Sequence, residues 1–277
     1  MNGINVNIIC FLGDENLEIY FYVDDLCKIF FRKRNYSIWG GIMKLNDLYD
    51  LYIAHRGIQT SKTIENTIPA FSLAISKKVP IELDIHILKD NNLVVYHDDT
   101  LDRLINIPNK IEDYTYQELE NIVFPNTDIR IPLFTEVLKL VNGKIPIIIE
   151  VKRSTNKKYS EYCKEIASVL KEYPYDFVIK SFDIRIVNWF LHNTDYLTGL
   201  LIAKRNKSIY DILMRNRLLL SILNPDFLSV DYHLLDFPSI KKFRLNKPVL
   251  VWTINNQNLL DKVKSKADSY LIEKFYF

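Results

Sequence analysis

From residue 51 onward, short runs of apolar residues alternate with longer segments in which apolar residues recur at helical spacing. A short apolar run is typical of a buried strand, and a spacing of three to four residues is typical of an amphipathic helix. This pattern predicts strands at 51–55, 81–87, 93–97, 145–151, 177–181, 199–203, 227–230, 249–254 and 270–272. It predicts helices at 66–77, 135–141, 159–173, 183–192, 208–223, 239–245 and 257–265.

The alternation of strands with helices also predicts the architecture. Such a series argues for βαβ units, and therefore for a parallel sheet covered by helices. About eight main strands fit a closed barrel better than an open sheet. We therefore predict an α/β fold, a (β/α)8 TIM barrel over residues 43–277, preceded by a short N-terminal extension, residues 1–42.

The extension has a pattern of its own. Apolar and aromatic residues partly alternate within 16–31, which favours a strand or hairpin followed by a helical turn. Because Met43 stands just ahead of the first barrel strand, the extension is either an appended arm or an over-extended reading frame. As an arm, it is expected to pack on the barrel or to form a homo-oligomer with a second subunit, since its aromatic residues would be poorly placed in water.

Composition excludes several classes of protein. Hydrophobic residues make up 48% of the 277 positions and charged residues 25%, which argues against disorder. The net charge is only +2, so no nucleic-acid partner is expected, and the basic run 32–34 is interpreted as a solvated loop. No apolar run reaches the ~18 residues of a transmembrane helix. The chain has only three cysteines, and an odd, small number does not build a disulfide framework. This favours a reducing, cytoplasmic location.

Strand 81–87 carries the first chemical signal. Its alternation places Glu82, Asp84 and His86 on one face, and in a barrel one face of each strand lines the interior. Two carboxylates on an inward face repel each other unless a cation neutralises them, and carboxylate oxygens suit Mg²⁺ or Ca²⁺. The alternative is a solvated edge strand with a charged outer face.

A second strand ends in a similar way. The run 145–151 is almost continuously apolar, as expected of a strand buried on both faces, and Glu150 and Lys152 share one face at its end. Polar residues at the carboxyl ends of barrel strands line the active site. Glu150 is therefore a candidate third metal ligand, the alternative being a solvent-exposed Glu/Lys pair.

Two histidines, His55 and His97, follow further apolar runs. Histidine is the side chain best matched to proton transfer near neutral pH. The adjacent Arg56 offers a fork of donors that suits a phosphate group. Together with the carboxylates, these residues favour a metal site that handles phosphate over isolated structural histidines.

In this order, the residues resemble the glycerophosphodiester phosphodiesterase family. The family's motifs are matched by Ile53-Ala54-His55-Arg56-Gly57, Glu65-Asn66-Thr67, Glu82-Leu83-Asp84, His97-Asp98, Glu150-Val151-Lys152, Ser181-Phe182 and Trp252-Thr253-Ile254-Asn255. Each short motif is weak evidence, but the ordered set across about 51–277 is specific. The resemblance implies a metal-dependent TIM barrel that hydrolyses a small glycerophosphodiester to glycerol phosphate and an alcohol.

The resemblance also implies a role for each matched residue. One divalent ion, Mg²⁺ or Ca²⁺, would be bound by Glu82, Asp84 and Glu150. Proton transfer would fall to His55 and His97. Substrate binding and support of the site would fall to Arg56, Lys152, Trp252, Glu65 and Asn66.

Three positions depart from the family pattern. The first helix ends in Lys77-Lys78-Val79 without the expected glycine, and Asp90-Asn91-Asn92 replaces an Asp-Gly turn, which asparagine tolerates. The last strand runs into Ile272-Glu273-Lys274, which leaves that edge of the pocket undefined. Two other functions stay open: a lysophospholipase D-like activity on lysophospholipids, and a non-catalytic barrel used as an assembly module.

Overall fold

A computed structural model of the chain describes residues 7–13, 16–22, 43–204 and 217–274. Strands β1 (Asn7–Gly13) and β2 (Asn16–Tyr22) pair in an antiparallel hairpin. Strand β2 lies within 16–31, where a strand or hairpin is predicted, but its partner β1 precedes that segment. The helical turn predicted after it falls outside the described residues.

The remaining strands and helices alternate along the chain. The strands are β3 (Tyr52–His55), β4 (Ile81–Ile87), β5 (Leu93–Val95), β6 (Ile147–Val151), β7 (Phe177–Ser181), β8 (Thr198–Ile202), β9 (Phe227–Asp231), β10 (Val249–Ile254) and β11 (Ser269–Ile272). The helices are α1 (Ile68–Ser76), α2 (Asp102–Ile105), α3 (Tyr116–Leu119), α4 (Phe134–Val141), α5 (Tyr159–Lys171), α6 (Ile184–Asn193), α7 (Arg217–Leu223), α8 (Pro238–Arg244) and α9 (Gln257–Val263). No helix in these described ranges is long and apolar enough to cross a membrane.

Eight parallel strands close into a barrel in the order β3, β4, β6, β7, β8, β9, β10 and β11. Closure depends on β3, which pairs with β11 on one side and with β4 on the other. The predicted α/β fold, a (β/α)8 TIM barrel, is confirmed. Its carboxyl-terminal strand ends meet at one mouth, where the polar residues of the predicted site are located.

The prediction of a strand over 93–97 needs correction. Strand β5 covers only Leu93–Val95 and pairs antiparallel with β4, so it lies beside the barrel and outside its parallel series. The chain reverses through a turn in which Asn91 adopts the left-handed conformation, with φ of 69°. His97 therefore lies in a loop beyond the strand. An apolar run predicts a strand but does not reveal its direction or partner.

The end of α1 departs from the family pattern, but the fold is kept. After α1, Lys78 takes a left-handed φ of 55°, and its neighbour Val79 donates a hydrogen bond to the carbonyl of Ala74. The conformation expected of a glycine is thus adopted by a lysine.

The helix predicted over 208–223 is seen from Arg217 onward, and residues 208–216 lie outside the described part of the chain.

The interior of the barrel is layered. Its apolar layer is a cluster of inward-facing residues that includes Ile53, Ile148, Val178, Phe227, Leu250 and Leu271, joined by Met43 and Leu48. Alternation places the next inward side chain of each strand two residues later, nearer the mouth. His55, Glu150 and Lys180 follow Ile53, Ile148 and Val178 in this way. An apolar layer thus lies directly below a ring of polar groups.

Candidate active site

An acidic cluster forms the centre of the site. Glu82, Asp84 and Glu150 are all buried, and each contributes one carboxylate oxygen to a group whose members lie within 4.8 Å of one another. The cluster forms because Asp84 of β4 pairs in register with Glu150 of β6. Three converging carboxylate oxygens are a donor set that suits a hard divalent cation. The prediction that these acids converge inside the barrel agrees with the geometry.

Three basic side chains contact these acids. The Lys152 Nζ lies 2.8 Å from Asp84 Oδ1 and 2.6 Å from Glu150 Oε1, and the Arg56 Nε lies 3.4 Å from Asp84 Oδ2. Burial alone raises the pKa of Asp84, but the positive charges of Lys152 and Arg56 outweigh it, so that pKa lies well below its usual value. The Asp84 carboxylate is therefore ionised and able to bind a cation.

The third basic residue, Lys180, was missed in the sequence. It belongs to β7, is 1% exposed, and places its Nζ 2.7 Å from Glu82 Oε1 and 3.5 Å from Glu150 Oε2. The signal was available, because Lys180 is a charged residue in an otherwise apolar run and follows the inward-facing Val178 by two positions. A single lysine near a strand end usually reaches solvent, so its position alone does not indicate a buried site residue.

A tight loop after β3 aims polar groups at the acids. Asn66 Nδ2 donates to Asp84 Oδ2 at 2.8 Å, and the backbone N–H of Arg56 donates to Glu82 Oε2 at 3.2 Å. Gly57, with φ of 79°, permits the loop because an added Cβ would lie 2.9 Å from the Cβ of Ala70. The structure therefore brings Arg56 and Asn66 to the predicted site.

His55 faces the acidic cluster with one ring nitrogen and a carboxylate with the other. Its Nε2 lies 3.9 Å from Glu82 Oε2, while its Nδ1 donates a hydrogen bond of 3.1 Å to Glu273 Oε2. The hydrogen bond from His55 lowers the pKa of Glu273 to about 2. Glu273 is a second site residue that sequence reasoning missed, although it follows the inward-facing Leu271 by two positions.

His97 is supported by a chain of charged groups. Its Nδ1 donates to Asp98 Oδ1 at 2.5 Å, and the Nε of Arg103 donates to Asp98 Oδ2 at 2.5 Å. Burial opposes ionisation of Asp98, but its bonds to Arg103 and His97 prevail and lower its pKa. The Nη2 of Arg103 also donates a hydrogen bond of 2.6 Å to Glu65 Oε1. The same oxygen accepts a hydrogen bond of 2.8 Å from the Nη1 of Arg56. The predicted residue Glu65 thus links the loops that carry the two histidines.

His86 shares the inward face of β4 with the acids but has a different environment. It is 1% exposed, and its Nε2 lies 3.4 Å from the carbonyl oxygen of His97. Burial lowers its pKa to about 4, so the imidazole is neutral near pH 7. Its Nε2 can therefore donate to the loop that holds His97.

An aromatic pair lies at the same end of the barrel. Trp252 of β10 packs edge-on against Phe182, with ring centroids 5.9 Å apart, and Phe182 is 37% exposed. Trp252 stands beside Asp231, the last residue of β9, in the strand register. Trp252 thus lies toward the carboxyl-terminal end of β10, and its role as a pocket wall stays a prediction.

Comparisons with known proteins reach most of the chain. The model of the glycerophosphoryl diester phosphodiesterase family matches residues 55–274. A Bacillus subtilis strain 168 protein with the provisional name glycerophosphodiester phosphodiesterase YhdW is 30% identical over 227 residues, covering 77% of this chain and 89% of that protein. Human lysophospholipase D GDPD1 is 36% identical over 129 residues, 41% of this chain and 40% of that protein.

A solved structure gives the corresponding comparison of folds. The structure of an Oleispira antarctica phosphodiesterase, in complex with the product sn-glycerol-3-phosphate, matches with a TM-score of 0.69. The match covers 83% of this chain and 94% of that one, at 19% identity. At that identity the likeness supports the barrel fold alone.

Proposed function

Because this chain belongs to the glycerophosphoryl diester phosphodiesterase family, whose members are phosphoric diester hydrolases, we propose that it hydrolyses a glycerophosphodiester to glycerol phosphate and an alcohol. One observation carries the proposal. Glu82, Asp84 and Glu150 converge beside His55, whose Nδ1 donates to Glu273, and the Nδ1 of His97 is likewise bound by Asp98.

The acidic cluster would hold one divalent ion, Mg²⁺ or Ca²⁺. The donor set fits, since its three oxygens lie within 4.8 Å of one another and oxygen ligands are those that both ions prefer. When bound, such an ion neutralises phosphoryl charge and orients the substrate. Lys152 and Lys180 contact these carboxylates, and their ammonium groups offset part of the negative charge of the site when no ion is bound.

The two histidines would divide the proton transfers. A carboxylate cannot donate, so Glu273 and Asp98 each fix a proton on Nδ1 of their histidine and leave Nε2 for the reaction. One imidazole, neutral, would accept the proton of the attacking oxygen, and the other, protonated, would donate to the leaving alcohol. The attacking oxygen belongs either to water or to the 2-hydroxyl of the glycerol, which would give a cyclic phosphate first.

The remaining predicted residues would bind substrate or hold the site in place. Arg56 and Lys152 carry the positive charge that a phosphodiester needs. Asn66 supports the site by fixing Asp84, and Glu65 supports it by fixing Arg56. Trp252 would line the pocket beside Phe182, where the alkyl part of the substrate has an apolar wall.

A second candidate is a lysophospholipase D-like activity. It is favoured by the half-exposed aromatic pair at the mouth and by the similarity of part of the chain to human lysophospholipase D. The chemistry at phosphorus would be the same, and only the leaving group would differ. A non-catalytic barrel used as an assembly module would not need two histidines that are each held by a carboxylate.

We also propose that the catalytic unit comprises 43–277 and that 1–42 is an extension through which the chain forms a homo-oligomer. Within the part of the chain that the structure describes, every site residue lies between His55 and Glu273, and Met43 is buried in the apolar layer of the barrel. A cytoplasmic location is proposed as well, since Cys163 is a buried free thiol and the cysteines are sparse.

The decisive experiment measures release of glycerol phosphate from a panel of glycerophosphodiesters, with and without EDTA. We expect turnover with added Mg²⁺ or Ca²⁺ and none after chelation. Lysophosphatidylcholine in the same panel separates the second candidate, because choline release from it requires a lipid-accepting mouth. A folded, metal-loaded protein that cleaves no diester would favour the assembly module.

A further inference from the structure

Lys180 is more deeply buried than the other two cations that contact the acidic cluster. Its side chain is 1% exposed, whereas that of Lys152 is 13% exposed, so Lys152 can meet a substrate and Lys180 cannot. Its strand partner is Glu150, in register between β6 and β7. The ammonium group therefore contacts both Glu82 and Glu150 where solvent does not reach it.

The charges around the acids bear on what Lys180 does. Glu82, Asp84 and Glu150 supply three negative charges, and Lys152, Lys180 and Arg56 supply three positive ones in contact with them. A buried carboxylate pair that lacked a cation would repel strongly. Lys180 removes this repulsion between Glu82 and Glu150 when no metal ion is bound.

The same charge acts against a metal ion. The Lys180 ammonium contacts both Glu82 and Glu150, so it would repel a divalent ion held by them in a buried environment where like charges repel far more than in water. The ammonium also lies 2.7 Å from Glu82 Oε1, so it competes with an ion for contact with that oxygen. Both effects raise the concentration of ion needed to fill the site.

Resting on the metal site of the proposed function, we infer that Lys180 is a positioning residue that stands in for the metal ion: it holds Glu82 and Glu150 together in the metal-free protein and weakens binding of the divalent ion. The ion then exchanges with the surrounding solution instead of remaining permanently bound. This residue adjusts the affinity of the site without touching the substrate.

The test is a calorimetric titration of Mn²⁺ into the metal-free full-length chain, since oxygen-rich sites for hard cations accept this ion. Lys180→Met removes the charge and keeps the length of the side chain. Lys171→Met, at the exposed end of α5, removes a charge from the surface and serves as the matched control. We expect Lys180→Met to bind Mn²⁺ about tenfold more tightly or better than wild type, and the control to bind like wild type. The midpoint of thermal unfolding of metal-free Lys180→Met should fall and should recover when Mn²⁺ saturates the site.

Several outcomes decide against the inference. Equal or weaker binding by folded Lys180→Met overturns it while leaving the proposed metal site intact. Failure of both the wild-type chain and folded Lys180→Met to bind Mn²⁺ overturns the proposed metal site and the inference with it. If Lys180→Met does not fold in metal-free buffer, Lys180→Gln repeats the comparison. Folding of both variants only with Mn²⁺ supports the inference, and failure of both in either buffer makes Lys180 a purely structural residue.

Discussion

The imidazole of His55 donates a 3.1 Å hydrogen bond to the carboxylate of Glu273, although 218 positions separate the two residues in the chain. His55 ends the first strand of the barrel, and Glu273 directly follows the last one. The two strands are neighbours because Ile272 pairs with Ala54 where the barrel closes. Closure of the barrel therefore builds the support of a proposed catalytic group.

Replacing Glu273 should disable His55 without removing it. In Glu273→Gln the amide no longer stabilises a positive imidazole and no longer fixes the proton on Nδ1. We expect kcat for a soluble glycerophosphodiester to fall roughly tenfold or more, with Mn²⁺ affinity unchanged. Glu161→Gln, on the exposed face of α5, is the control. Full activity in Glu273→Gln would show that His55 does not depend on this carboxylate.

The same pair predicts a pH dependence of stability. The pKa of Glu273 is about 2 in the folded protein, against 4.5 as its ordinary value. A lowered pKa stabilises the fold fully above the ordinary value, and the stabilisation is lost as pH falls toward the folded-state value. Urea unfolding should therefore show wild type more stable than Glu273→Gln at pH 6, with the difference shrinking as pH falls from about 4.5 toward 2. A difference that stays constant over this range would contradict the prediction.

Each acid of the cluster should be required for metal binding and for turnover. Glu82→Gln, Asp84→Asn and Glu150→Gln preserve size but remove one anionic ligand and leave a buried cation without its full complement of charge. We expect glycerol phosphate release to fall to the level seen with EDTA, and calorimetry to show no Mn²⁺ binding. Circular dichroism checks that the barrel is intact, and Glu165→Gln is an exposed control. Unchanged turnover by wild type in metal-free buffer would show that the reaction does not need a metal ion.

The two histidines should fail in different ways. His55→Ala and His97→Ala should each lower kcat by ~10²–10⁴-fold, the usual contribution of a positioned acid or base. A substrate with a very acidic leaving group, such as a p-nitrophenyl diester, needs no protonation of that group. It should therefore restore part of the activity of one variant and not of the other. Equal rescue of both, or of neither, would argue against separate roles.

A stability prediction concerns the apolar layer below the site. Gly199 of β8 leaves room for the ring of Phe227, since an added Cβ would lie 2.3 Å from the ring carbon Cε2. Gly199→Ala should therefore lower the free energy of unfolding by ~1–3 kcal/mol through overpacking, measured by urea denaturation. In a Phe227→Leu background the added methyl group should cost less. An equal cost in both backgrounds would mean that the ring is not the obstacle.

Much of the fold was predictable because its signals are local. Buried parallel strands must be apolar over several residues, so Ile147–Val151 and Val249–Ile254 are visible as runs in the sequence. Strand alternation likewise predicts that Glu82 and Asp84 share a face. The exception is Leu93–Val95, whose antiparallel return along β4 leaves no mark in its composition.

By itself, then, the sequence determined which residues alternate inward, and in what order the polar groups follow one another. Only the tertiary structure decided which of them meet. Lys180 contacts Glu82 because their strands, β7 and β4, are the two neighbours of β6 in the closed sheet. Glu273 reaches His55 because the last strand pairs with the first. The physical reason is that side-chain direction depends on the local backbone, whereas contact between distant strands depends on register and closure of the whole barrel.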